Sequence, residues 1–186
     1  MRYLVLALIF LLQPSLVLAQ VSTYTVPSKV AIPTTKGSGV RGEGANGTQI
    51  QIYAPEFSTV ISNYPPEFLI ECNQPVYRVT VTQPLGPTIY DRTFSTDRVG
   101  RLNLVKISSN QWQDSNYRLA VTIPDRRYYA KVVFKRETPS LDFLNQLNQI
   151  KDPELKFQHY YQHGYYVDAV AFLFKTDRLA FVKIAN

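Results

Sequence analysis

Between Thr48 and Arg136 the apolar residues fall into seven short runs: "TQIQIY", "PEFLIE", "VYRVTVT", "TIYDRTF", "GRLNLVKI", "NYRLAVTI" and "YYAKVVFKR". Such runs are too short for ordinary helices and suit strands, whose side chains alternate between two faces. In "VYRVTVT" the set Val76, Arg78 and Thr80 alternates with Tyr77, Val79 and Val81, so one face is suited to burial and the other to water. Seven runs separated by turn residues predict a mainly β fold, an immunoglobulin-like antiparallel β-sandwich over residues 48–137. "QPLGPT" supplies Gly86 as a residue of positive φ for a tight connection. The chain has a single cysteine, Cys72, so no internal disulfide holds this region and the core must do so alone.

After Glu137 the period lengthens. Thr138-Pro139 has the form of an N-cap followed by proline at the first helical position, and Leu141, Leu144 and Leu147 make an apolar stripe with Phe143 and Ile150 beside it. Asp152-Pro153-Glu154 repeats the start signal and opens a second helix carrying Phe157, Tyr160 and Tyr161. Gly164 stands where a helix ends in the left-handed conformation, and Val167, Val170, Ala171 and Phe174 then recur at helical spacing. Residues 138–186 are therefore expected to form a short helical appendage, with 178–186 open to either helix or strand.

The N-terminal end has a different character. Arg2 precedes a nine-residue apolar run, Leu4 to Leu12, and Val17-Leu18-Ala19 is a small-residue cleavage site, so residues 1–19 are expected to be a secretory signal. Nine apolar residues fall short of the roughly 20 that cross a bilayer, and no transmembrane span is expected after cleavage. Residues 20–47, rich in Ser, Thr, Pro and Gly, are expected to be a flexible leader outside the core. The net charge of +6 then suggests solubility or an anionic polysaccharide at the periplasmic or cell surface, or an unknown envelope protein as partner, rather than nucleic acid.

Chemistry-bearing residues are sparse. The only histidines, His159 and His163, lie four apart and would share one helical face; with Asp168 or Glu154 they are the candidate metal ligands. The position after His159 is Tyr160, not the glutamate of a zinc-protease helix, and two ligands alone do not close a site. The expected alternative is a helix corner in which Gly164 and Asp168 are structural. Tyr160, Tyr161, Tyr165 and Tyr166 are candidates for stacking on sugars or a partner, or for packing the corner. In "PDRRYYAKVVFKR", Lys131, Lys135 and Arg136, with Arg126 and Arg127, suggest a basic stripe. There is no Gly-x-Ser-x-Gly elbow and no phosphate-binding glycine loop opening a helix, so no catalytic residue and no cofactor is assigned. An interaction or structural module of the envelope is the expected function, and a metal-assisted periplasmic hydrolase its alternative.

The corner Tyr161, His163, Gly164, Tyr165, Tyr166, Val167, Asp168 and Ala169, together with "IYDRTF" (Ile89 to Phe94), "NYRLAV" (Asn116 to Val121) and "PDRRYY" (Pro124 to Tyr129), resembles the cyanobacterial domain of unknown function 928 family. It differs from that family's pattern in having tyrosine for tryptophan at the corner and no cysteine before "PDR". The resemblance implies a cyanobacterial exported protein and carries no activity.

Overall fold

The structure, a computed structural model, describes residues 34–36, 38–39, 49–95, 101–113, 115–124 and 128–185. The expected signal, most of the leader, and Arg126 and Arg127 lie outside the described residues. Ten strands precede four helices: β1 Thr35–Lys36, β2 Ser38–Gly39, β3 Ile50–Ile52, β4 Phe57–Ile61, β5 Glu67–Cys72, β6 Val76–Thr82, β7 Thr88–Ser95, β8 Arg101–Lys106, β9 Asn116–Thr122 and β10 Tyr128–Glu137. The helices are α1 Leu141–Gln149, α2 Pro153–Gln162, α3 Tyr166–Thr176 and α4 Arg178–Ala185. All seven runs are strands, and residues 178–185 resolve as helix.

A smaller sheet has the order β1-β3-β5-β8, a larger one β2-β10-β9-β6-β7. β4 joins the larger sheet by pairing with β10, and it is parallel to it (Val133↔Phe57 to Glu137↔Ile61) where the neighbouring pairs are antiparallel. The two sheets share one core: Ile50, Phe68, Ile70 and Cys72 from the smaller meet Val79, Leu119, Val132 and Phe134 from the larger. Phe68 and Phe134 touch across it, ring centroids 5.1 Å apart. At the edge of this core Tyr117, at the start of β9, turns its hydroxyl back to Gln113, accepting from the N–H at 2.7 Å and donating to the C=O at 2.8 Å. That clasp ties the β8–β9 loop to the strand that follows it.

The sheets differ in what covers their outer faces. In β6 and β9 burial alternates strictly, as expected of strands with one wet face. In β5 the consecutive residues Phe68, Leu69 and Ile70 are all buried, because Leu69 faces away from the sandwich into a second core. There it meets Tyr53 just after β3, Ile61 of β4, and Phe143, Phe157, Val170 and Phe181 from the helices. The helical tail thus packs as a third layer over the smaller sheet.

Three local expectations are corrected. The leader contributes pairing: Thr35↔Ile52 and Lys36↔Gln51 extend the smaller sheet, and Ser38↔Tyr129 and Gly39↔Tyr128 extend the larger. α1 starts after Ser140, not Thr138, since the Ser140 hydroxyl accepts the Phe143 N–H at 3.2 Å; this turns Leu141 to solvent and leaves Phe143 and Leu147 as the buried residues. In the β6–β7 turn the positive φ falls on Leu85 (57°), not on Gly86.

Candidate functional site

The corner "HYYQHGYYVDA" is built by helix-end chemistry. Asp152 caps α2 by accepting the N–H groups of Glu154 (2.8 Å) and Leu155 (3.0 Å), with Pro153 at the first helical position. The helix stops at His163, and Gly164 takes φ 81°. Two returning bonds, Gly164 N–H to Tyr161 O at 3.1 Å and Tyr165 N–H to Tyr160 O at 3.0 Å, satisfy the last carbonyls in the Schellman arrangement. α3 begins two residues later, placing Asp168 in its first turn.

His159, His163 and Asp168 do not converge, and among the described residues no three potential metal ligands do. His159 is buried and stacked on Phe143 (centroids 4.7 Å), with Nε2 3.3 Å from Phe143 O. His163 Nδ1 lies 2.8 Å from the His159 carbonyl, one turn back. Burial holds the His159 imidazole below the ordinary histidine range, and the neighbouring His163 adds to that against the bond to Phe143. Asp168 faces the other way, toward the sheet. Glu154 is exposed at the far end of α2.

Asp168, only 6% exposed, stands at the floor of an open cleft of about 370 Å³ between α2, α3 and the β4–β5 loop. Its Oδ2 accepts the Ile61 N–H at 3.0 Å, and the Tyr64 hydroxyl donates to the same carboxylate while sharing a further hydrogen bond with Tyr160. Burial, with a smaller push from Glu67, raises the Asp168 carboxyl to about 7, against the pull of the Ile61 N–H, Tyr64 and its own N–H. Burial likewise drives the Tyr64 phenol far upward. Glu67 and Lys175 form an ion pair on the cleft wall, and Lys106 stands opposite Glu67 in the β5–β8 register. Such a cleft holds a proton near neutrality, but its two carboxylates and two phenols already have partners in the chain.

The tyrosine cluster is correspondingly not a surface. Tyr160 and Tyr165 are buried in the helical core; Tyr161 and Tyr166, half-buried, pack edge-on at 4.8 Å. Tyr165 reaches Glu137 at the end of β10. Tyr160 and Tyr165, with Tyr161 beside them, belong to the apolar layer over β5, and Tyr166 packs on Tyr161.

The basic stripe is reshaped by the pleat. Lys131 and Lys135 project outward with Val133 between them, whereas Arg136, one residue on, faces inward and is 6% exposed. Its guanidinium lies 4.7 Å above the Trp112 ring, and Nη2 donates to the carbonyls of Ser62 and, at 3.5 Å, Tyr64. Arg136 therefore positions the loop that carries Tyr64 instead of joining a surface. In its place register brings Arg118 of β9 opposite Val133, between the two lysines. Phe57, 72% exposed, pairs with Val133 from the other side, and Tyr129 is exposed two residues before Lys131. Lys135 is bridged to Glu137 at 3.1 Å and Arg78 to Asp91, with Nε to Oδ1 at 2.7 Å. Among the described residues Arg118 and Lys131 are in no ion pair. Arg118 was hidden from the sequence reading because its place beside the lysines exists only once β9 and β10 are in register.

Comparison with family models, curated proteins and solved structures finds no match. No described helix is long and apolar enough to cross a membrane.

Proposed function

We propose that this chain is an exported module of the cell envelope, of the domain of unknown function 928 family, that binds an anionic polysaccharide on the open face of its larger sheet and catalyses no reaction. The observation that carries this reading is the pair Arg118 and Lys131, exposed cations of the larger sheet outside any described ion pair, flanked by exposed Phe57 and Tyr129. Guanidinium and ammonium groups supply charge and hydrogen bonds to carboxylate or sulfate; flat aromatic rings supply a face for sugar C–H groups. The smaller sheet spends its outer face on the helices, so the larger sheet is the surface left for a partner. The scaffold is proposed to be immunoglobulin-like: β3, β5 and β8 stand as strands A, B and E, β10, β9, β6 and β7 as G, F, C and C′, and the Tyr117 clasp falls where such folds have their tyrosine corner.

The test is retention on a sulfated or uronic-acid polysaccharide column. Attraction of this kind is screened as the Debye length falls from about 10 Å at 0.1 M salt to about 3 Å at 1 M. Retention is expected at low salt, lost at high salt and lost in the double substitution Arg118→Gln, Lys131→Gln. Retention that survives both treatments, or selective retention of an envelope protein with no polysaccharide binding, overturns the reading.

A further inference from the structure

At the end of the sandwich where β6 meets β7, a second pocket of about 310 Å³ is lined by Gln83, Pro87, Ile89, Asn110, Gln111, Trp112 and Gln113. Its volume is at the small end of the range of ligand sites, roughly 300–1,000 Å³. None of these side chains is charged. Four are carboxamides, each offering two N–H donors and one carbonyl acceptor, set around an indole. The indole N–H is buried and has no acceptor among the described residues.

Both walls are held in place before any ligand arrives. On one side the Tyr117 hydroxyl clasps Gln113 through both its N–H and its C=O, and Gln111 N–H donates to the Ser109 hydroxyl at 3.1 Å. Trp112 is pinned between the edge-on Tyr117 ring at 4.7 Å and the Arg136 guanidinium. On the other side the turn Gln83–Gly86 closes with Gly86 N–H to Gln83 O at 3.2 Å. A Cβ at Gly86 would stand 2.8 Å from the Gln83 Cβ and 3.0 Å from its Oε1, so only glycine leaves the Gln83 carboxamide where it lies. Leu85 in this turn holds φ 57°, a conformation costly for a bulky side chain. Strained backbone of this kind persists where the surroundings over-determine it, and it concentrates at ligand clamps.

We infer that this pocket is a binding site for a neutral sugar residue, a single ring or a short uncharged oligosaccharide. Adjacent hydroxyls on a pyranose are donors and acceptors at once, which is what carboxamides match; the C–H face of the ring matches the apolar surface of Trp112, Pro87 and Ile89. An ionic ligand would find no counter-charge among the lining residues, which separates this site from the basic sheet face and makes it independent of the function proposed above.

Trp112 is the chain's only tryptophan, so its emission reports on this pocket alone. Titration of the full chain with cellotetraose and chitotetraose is expected to shift Trp112 emission saturably, with Kd of about 1 mM or tighter for at least one. The double substitution Asn110→Ala, Gln111→Ala, at two exposed positions, is expected to weaken that Kd at least about tenfold with an unchanged melting temperature. Arg118→Gln, Lys131→Gln is expected to leave it unaltered, so failure of the sheet-face reading and failure of this one are read separately. No shift with either sugar, a shift that persists in the carboxamide double substitution, or a larger response to an uncharged peptide or a sulfated sugar than to the neutral ones overturns the inference.

Discussion

The carboxylate of Asp168 accepts the main-chain N–H of Ile61 at 3.0 Å, joining the first turn of α3 to the end of β4 across 107 residues of chain. Ile61 is the last residue of a strand whose other edge pairs with β10, and Asp168 lies among the helices, so this bond pins the helical layer to the sandwich. Removing the acceptor leaves a buried N–H unsatisfied, and Asp168→Ala is expected to cost about 1–3 kcal/mol, read from urea unfolding.

The same residue makes stability depend on pH in an unusual direction for a carboxylate. Its folded-state value of about 7 lies above the unfolded 3.8, so between those values the folded chain holds a proton that the unfolded chain has lost. Stability from this group is therefore full below about pH 4 and falls as pH rises to about 7, on the order of a few kcal/mol in total. His159, kept neutral by burial, works the opposite way, gaining as pH rises through the histidine range. Comparison with Asp168→Asn isolates the carboxyl: the asparagine variant is expected to lack the downward slope and to be the more stable of the two at pH 8. A native profile parallel to that of Asp168→Asn from pH 4 to pH 8 would refute the assignment.

At Gly164 a Cβ would meet nothing within 4 Å, so a substitution there is resisted by backbone conformation alone. With φ at 81°, Gly164→Val is expected to destabilise by on the order of 1–3 kcal/mol and Gly164→Asn by distinctly less, since asparagine tolerates the left-handed region. The ordering Val, then Ala, then Asn in thermal denaturation checks it; equal losses for all three would point to crowding instead.

The two short leader strands define where truncation starts to matter. Deleting residues 1–33 removes no described strand, and the melting temperature is expected to stay within about 2 °C. Deleting 1–47 also removes the pairing of β1 with β3 and of β2 with β10, and the Thr35 hydroxyl bond to Ala54 O at 2.8 Å. A loss of on the order of 1–3 kcal/mol follows from the few net hydrogen bonds involved. Scanning calorimetry on both truncations separates the steps, and equal stability of the two would show that the leader strands contribute nothing.

What the sequence disclosed and what it concealed divide along physical lines. β3 and β5 to β10 were legible as short apolar or alternating runs between turn residues, and β6 and β9 show the strict period of two that a half-buried sheet imposes. β4 was not, because its pattern is inverted: Phe57 is on the exposed face while Ser58 is buried, its hydroxyl bonded to Pro55 O at 3.2 Å. β1 and β2 have two residues each, too few for any period. The third layer left a trace in the unbroken "FLI" of β5, the signature of a strand buried on both faces, which the sequence reading did not use. Capping residues announced the helix corner locally. Asp168 as a latch, Arg118 beside the lysines and Arg136 beneath Trp112 are all products of register and tertiary contact, and no local pattern carries them.

In the turn Gln83–Gly86 two adjacent residues carry opposite burdens, which gives the sharpest pair of substitutions in the molecule. Leu85 has positive φ and a fully exposed side chain, so it bears conformational cost and gains no burial in return. Pro84 precedes it at the position that favours proline, and the residue after such a proline is the one for which glycine or asparagine is normally selected. Leu85→Gly or Leu85→Asn is therefore expected to stabilise the fold by up to about 1 kcal/mol. Gly86 has an ordinary φ but no room, since its Cβ would press on that of Gln83. Gly86→Ala is expected to destabilise by about 1–3 kcal/mol by displacing Gln83 and with it one wall of the Trp112 pocket. Urea midpoints of the three variants test the assignment: destabilisation by Leu85→Gly, or neutrality of Gly86→Ala, would mean that the turn closes on a different residue.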